Sequence, residues 1–173
     1  MHIEYVHLED DGRFPNSELP VIIYRSAWKL SYLFPSSFII RHFEKNNWTN
    51  AWRSGIYDYH HYHSTTHEVL AVYKGKTKLL LGGSKGKVVD IRKGDVIVIP
   101  AGVAHKNLEP KNDMKCVGAY PKGQDYDMNY GKHEERPNSD LHIQQVPLPE
   151  TDPVFGVTGP LMEQWTKQEC LAM

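Results

Sequence analysis

Between Gly55 and Pro121 the chain is cut into short β-rich runs, IYDYHHYH, HEVLAVYK, TKLLLGG, KVVDIRK, DVIVIP, HKNL and MKCVGAYP, by turn segments such as KGK, GSKG, KGD and PAG. Parallel strands need a crossover of about a dozen residues between them, and none of these gaps is long enough for a helix. Such spacing predicts an antiparallel sandwich or barrel. A chain of 173 residues is expected to form a single domain. Its core should lie at about residues 50–121, with segments 1–49 and 122–173 packing on it. The first segment contains a strand-like Pro20 to Ser26 and a predicted helix with Ser36 or Ser37 as N-cap and Phe38, Ile39, Phe43 and Trp48 at helical spacing. After Pro121, KGQDYDMNYGKHEERPNSD reads as a loosely packed loop, LHIQQVPL as a strand and GPLMEQWTK as a final helix.

The 20 Lys and Arg balance 21 Asp and Glu, a net charge of -1. No global field draws the chain to nucleic acid or to an anionic membrane, so neither is an expected partner. The lysines collect in turns, where they suit solubility and protection of sheet edges. Cys116 and Cys170 form no CxxC pair, and the N-terminal MHIEYVHLEDDGRFP has acidic residues where a secretory signal needs a basic start. A reduced, cytoplasmic chain is the expectation.

Four histidines, His60, His61, His63 and His67, crowd one stretch. Successive strand residues face opposite ways, so His61 and His63 share a face while His60 and Tyr62 share the other. A turn through Ser64, Thr65 and Thr66 would return Glu68 beside them, with His67 as the replacement if the strand starts one residue later. Further on, Pro100-Ala101-Gly102 reads as a tight turn that needs Gly102 for a positive φ. It presents His105, with Asn107 on the same face. Neutral imidazoles and one carboxylate suit a divalent transition-type ion, Fe, Ni, Zn, Mn or Co, better than Ca or Mg. Tyr57 and Tyr59 share the parity of His61 and are the candidate catalytic proton donors, and Tyr120 is a weaker one. Two other patterns fail on context. Gly82-Gly83-Ser84-Lys85-Gly86 fits a nucleophile elbow but is flanked by strands on both sides. His67-Glu68-Val69-Leu70-Ala71 has Ala71 where a zinc protease needs its second histidine.

These motifs resemble those of the cupin superfamily. Gly55, five residues, His61-x-His63, four residues, Glu68, six residues and Gly75 match its first motif, and Gly94, Pro100, Gly102 and His105 match its second, where Glu109 stands in place of the usual Asn. The resemblance implies an all-β, cupin-type double-stranded β-helix, or jelly-roll barrel, with short N- and C-terminal helical extensions. It also implies one metal ion held by His61, His63, Glu68 and His105, and a homodimer. The expected function is that of a metal-dependent enzyme acting on a small anionic or carbonyl-bearing molecule, of oxygenase or lyase/isomerase type. The alternatives are a non-catalytic module that binds or senses a small ligand, and a metal-free sugar epimerase or isomerase.

Overall fold

Among the described residues every strand pair is antiparallel, and the strands divide into two facing sheets. The computed structural model describes residues 1–172, with side chains for residues 1–166. In chain order the elements are β1 (His2–Leu8), β2 (Ser17–Arg25), α1 (Pro35–Lys45), β3 (Trp48–Ser54), β4 (Glu68–Lys74), β5 (Lys76–Leu81), β6 (Lys87–Arg92), β7 (Val96–Ile99), β8 (His105–Asn107) and β9 (Lys115–Pro121). A single 3-10 turn (His133–Glu135), α2 (Asn138–Gln145) and α3 (Pro160–Ala172) follow. The larger sheet runs β1-β2-β7-β4-β9-β3 and the smaller β6-β5-β8. β1 and β2, which lie before residue 50, are continuous with the larger sheet. Among the described residues no helix is long and apolar enough to cross a membrane.

Strand alternation explains why the larger sheet is apolar on both faces. Ile23, Leu70, Val72, Ile97 and Cys116 point between the sheets, against Leu79, Leu81 and Ile91 of the smaller one. Their neighbours Ile22, Val69, Ala71, Val98 and Val117 point the other way, onto Ile39 and Phe43 of α1 and Leu161 and Trp165 of α3. A sheet buried on both faces needs continuous apolar runs, which is why VIVI in β7 lacks a polar face. β6 borders solvent and does alternate, with Ile91 buried between exposed Asp90 and Arg92. Asp152, fully buried, fastens the C-terminal segment by accepting from Tyr24 Oη at 2.6 Å and from the Leu161 amide at 3.1 Å. The side chain of Cys170 lies outside the described residues.

Several local expectations are corrected. α1 is not capped by Ser36 or Ser37; both lie inside it, because Pro35 takes the first turn, where its fixed φ suits a helix and its missing N–H costs nothing. Trp48 does not extend that helix but opens β3, after Asn47 turns the chain at φ 60°. LHIQQVPL is not a strand: Asn138, Ser139 and Asp140 start α2, and Arg136 pairs with Asp140 one turn on. Ile143 then packs on Phe14, Tyr62 and Ala104, a tertiary contact that outweighs the local alternation. IYDYHHYH forms no regular strand either; only His61 and Tyr62 make isolated bridges. GSKG is the β5–β6 hairpin turn.

His67 sits on the helix side of the larger sheet, its ring 4.8 Å from that of Trp165, and accepts the Ala101 amide at 3.0 Å. It is therefore no substitute for Glu68. Burial holds its imidazole neutral, down to about 3. The unfolded chain takes up a proton below about pH 6.5 while the folded chain does not, so stability contributed above that value is lost as pH falls. Chemical denaturation of chelator-treated protein should show about 1–2 kcal/mol more loss between pH 7.5 and 5 for the wild type than for His67→Asn. Equal losses would contradict this.

Candidate metal centre

The histidine segment is held by backbone before any ligand is considered. The His61 and His105 amides each donate to the other's carbonyl, at 3.2 and 2.9 Å, so the segment runs alongside β8 and sets the two rings 4.2 Å apart. The Tyr62 and Asn129 amides make the same kind of reciprocal pair, at 2.9 and 3.0 Å. Segment 122–132 is thus stitched to the histidines and is not the loosely packed loop expected. Asp127 does most of this: its carboxylate accepts the Ser64 amide, the Ser64 hydroxyl and, at 2.7 Å, the Asn129 side-chain amide. Gly102 turns at φ 90°, and a Cβ there would lie 2.3 Å from the Asn16 carbonyl oxygen, which confirms the glycine requirement just before His105.

Three buried histidines converge, with ligand nitrogens of His61, His63 and His105 all within 4.8 Å of one another, an arrangement that could hold a metal ion. In each ring Nδ1 faces a backbone carbonyl: Tyr59 at 3.2 Å for His61, Asp127 at 2.6 Å for His63 and Val103 at 3.1 Å for His105. With Nδ1–H donated, the neutral tautomer leaves the Nε2 lone pair free, as metal-ligating imidazoles require. Glu68 comes from the opposite sheet. Its Oε2 lies 3.3 Å from His105 Nε2 and 3.6 Å from His63 Nε2, is buried, and has no hydrogen-bond partner. Its other oxygen accepts the Tyr120 hydroxyl at 3.1 Å, and that hydroxyl accepts Trp52 Nε1–H at 2.8 Å.

Charges in the cluster are strongly coupled. Burial, then the neighbouring His105, lowers His61 to about 3, so it stays neutral. Burial alone would raise Glu68, but the adjoining His63 and His105 rings outweigh it and hold the carboxyl well below its ordinary range. Burial likewise opposes protonation of His63, yet the Glu68 charge raises it. Three imidazole nitrogens converge, with the Glu68 carboxylate oxygen beside two of them, and such nitrogen-rich donors suit a borderline divalent cation.

The expected site residues fall in different places. Tyr57 lines the cavity above the cluster, which measures about 210 Å³, but is 55% exposed at its rim. Tyr59, 42% exposed, does not line it and stacks on Tyr57 at 4.8 Å. His60 faces away, 5.2 Å from the Phe14 ring. Asn107 does not reach the cavity; its side-chain Oδ1 accepts the Thr77 hydroxyl and the Glu109 amide. Sequence reasoning missed Asp127, Tyr126 and the role of Trp52, and underrated Tyr120. Tyr126 stacks on Tyr120 at 4.9 Å.

The family described as "Cupin domain" matches residues 53–117. The chain is 42% identical over 159 residues, 91% of its length and 93% of the relative's, to the uncharacterized protein YjlB of Bacillus subtilis (strain 168). Among solved structures, acireductone dioxygenase from Bacillus anthracis, with a cadmium ion in its active centre, aligns at a TM-score of 0.41 and 16% identity over 56% of this chain and 64% of that one. Pumpkin seed globulin aligns at 0.37 and 20% identity over 46% and 22%. The chain spans less than two thirds of either of these two proteins.

Elemental analysis of purified protein should find an equivalent of divalent metal in the wild type and little in His61→Ala or His105→Ala. Unchanged content in both variants would refute convergence of the two segments. Tyr120→Phe, which frees Glu68 Oε1 and strands Trp52 Nε1–H, should lower metal affinity about tenfold in chelator competition. No change would show that the Trp52–Tyr120 pair does not orient the carboxylate.

Proposed function

We propose, for a chain that belongs to the cupin family, a metal-dependent enzyme acting on a small anionic or carbonyl-bearing molecule, of oxygenase or lyase/isomerase type. The observation that carries the reading is the buried, unpartnered Glu68 Oε2 facing the imidazoles of His63 and His105. His61, His63 and His105 through Nε2, with Glu68 through Oε2, would hold one divalent ion of the Fe, Ni, Zn, Mn or Co kind. When bound, such an ion supplies Lewis acidity toward a substrate oxygen, or redox chemistry if it is redox-active. The protein groups do the rest. Tyr120 and Trp52 keep the Glu68 carboxylate in one orientation, while Leu70, Ile56 and Met128 exclude water from the cavity wall. Tyr57 at the rim holds a proton on its phenol oxygen for a substrate beneath it, and Tyr59 fixes that ring by stacking. A cavity of about 210 Å³ suits a small metabolite and is below the range for drug-sized ligands.

One observation favours a second reading, a non-catalytic binding module. Tyr120, the only buried phenol lining the cavity among the described residues, already donates to Glu68, so no free buried acid faces the ligand. The two readings separate in one assay: metal-free protein is reloaded with each ion in turn and incubated with a panel of small keto and hydroxy acids and enolisable ketones. Ion-dependent product formation that disappears in His105→Ala supports the enzyme. Reversible binding without conversion selects the module, and full conversion after chelation would overturn both in favour of metal-free catalysis.

The proposal includes a homodimer, supported by the exposed Tyr32, Leu33 and Phe34 and by the open edge of β1. Sedimentation equilibrium giving a monomer mass at micromolar concentration would contradict it.

A further inference from the structure

Beyond the imidazoles the cavity lining is largely aromatic, and its buried polar atoms are already paired. Trp52 Nε1–H donates to the Tyr120 hydroxyl at 2.8 Å, and that hydroxyl donates to Glu68 at 3.1 Å. Tyr126 stacks on Tyr120 with centroids 4.9 Å apart and meets the His63 ring at 5.0 Å, inclined by 62°. Tyr57 meets His61 at 5.3 Å, nearly perpendicular to it. All of these rings line the cavity, so two of the three imidazoles carry an aromatic collar one ring further out. Apart from the committed Tyr120, the buried polar side chains of the lining are Glu68 and the three histidines, which face one another.

We infer that the ligand of this cavity is a single aromatic ring bearing an oxygen anion, carboxylate or phenolate, with that oxygen toward the metal centre and the ring within the collar. This rests on the metal-centre reading above, because the anion needs the charge that one carboxylate leaves uncompensated on a divalent ion. Three features select an aromatic ring over other small anions. A cavity of about 210 Å³ exceeds the roughly 150 Å³ that takes up benzene in an apolar protein interior, so one ring with a small substituent fits. Aromatic rings attract one another, edge to face or in offset stacks, beyond what buried area supplies, and the Met128 thioether adds the same preference. A sugar or polyhydroxy acid would bring hydroxyls that the committed buried groups cannot pair, and unpaired buried hydroxyls are costly.

The test is isothermal titration calorimetry of metal-loaded wild type, Tyr126→Leu and Tyr126→Phe with benzoate and cyclohexanecarboxylate, which share a charge and a similar size but differ in ring character. Metal content and melting temperature are measured on the same samples. Wild type should bind benzoate about three- to tenfold more tightly than the saturated acid. Tyr126→Leu, which keeps an apolar side chain but removes the ring, should carry the same metal and lose most of that preference, while Tyr126→Phe keeps it. Wild type that binds neither acid, or binds the saturated acid as tightly as benzoate, overturns the inference, as does an undiminished preference in folded Tyr126→Leu. The wild-type comparison decides the matter even where Tyr126→Leu does not fold. Absence of metal from every sample would instead overturn the metal-centre reading, and a benzoate preference lost in Tyr126→Leu under those conditions would still uphold the aromatic collar.

Discussion

Glu68 Oε2 sits 3.3 Å from one imidazole nitrogen and 3.6 Å from another, buried and without a hydrogen bond, while the Nδ1 atoms of those rings are committed to backbone carbonyls. Lone pairs facing one another in a dry site are costly unless a cation or a proton sits among them. Much of the architecture serves to bring about that confrontation. The carboxylate comes from the first residue of a strand in the larger sheet and His105 from the first residue of a strand in the smaller one, so the site spans the gap between them. His61 and His63 belong to neither sheet and are carried in by the reciprocal bridge to His105.

That placement also divides structural from chemical work. Away from the site, the inter-sheet space is filled by aliphatic side chains such as Leu70, Leu79 and Ile97. The polar cluster occurs where strands begin and regular pairing gives out, so backbone carbonyls are available to orient the rings. Segment 122–132 closes one flank. Asp127 anchors His63 through its carbonyl and the Ser64 turn through its carboxylate, while Tyr126 and Met128 join the cavity wall. A stretch rich in charge and glycine therefore does the work of a strand in fixing the site.

What could be read from the sequence was local. His61, His63 and Glu68 lie at short fixed spacings, as do Pro100, Gly102 and His105, and short apolar runs bounded by turn residues placed β4, β5, β7 and β9. The supporting partners were not legible, because their contacts join residues far apart in the chain: Asp127 to His63, Tyr120 to Glu68, Trp52 to Tyr120. Nothing near Tyr120 in sequence distinguishes a phenol that holds a carboxylate from one that fills a core. α2 was misread for a similar reason, since the helix is decided by Ile143 meeting Phe14 and Tyr62, residues from distant parts of the chain. The start of α1 was a different error: Pro35 carried a local signal that the neighbouring serines obscured.

X-ray absorption spectroscopy of the metal-loaded protein tests the central claim most directly, because it counts the donors around the ion without reference to any reaction. Three imidazole nitrogens and a carboxylate oxygen at about 2.0–2.2 Å, with the multiple scattering that histidine rings produce, is the predicted shell. A shell of oxygen alone, or one with a single imidazole, would contradict the account.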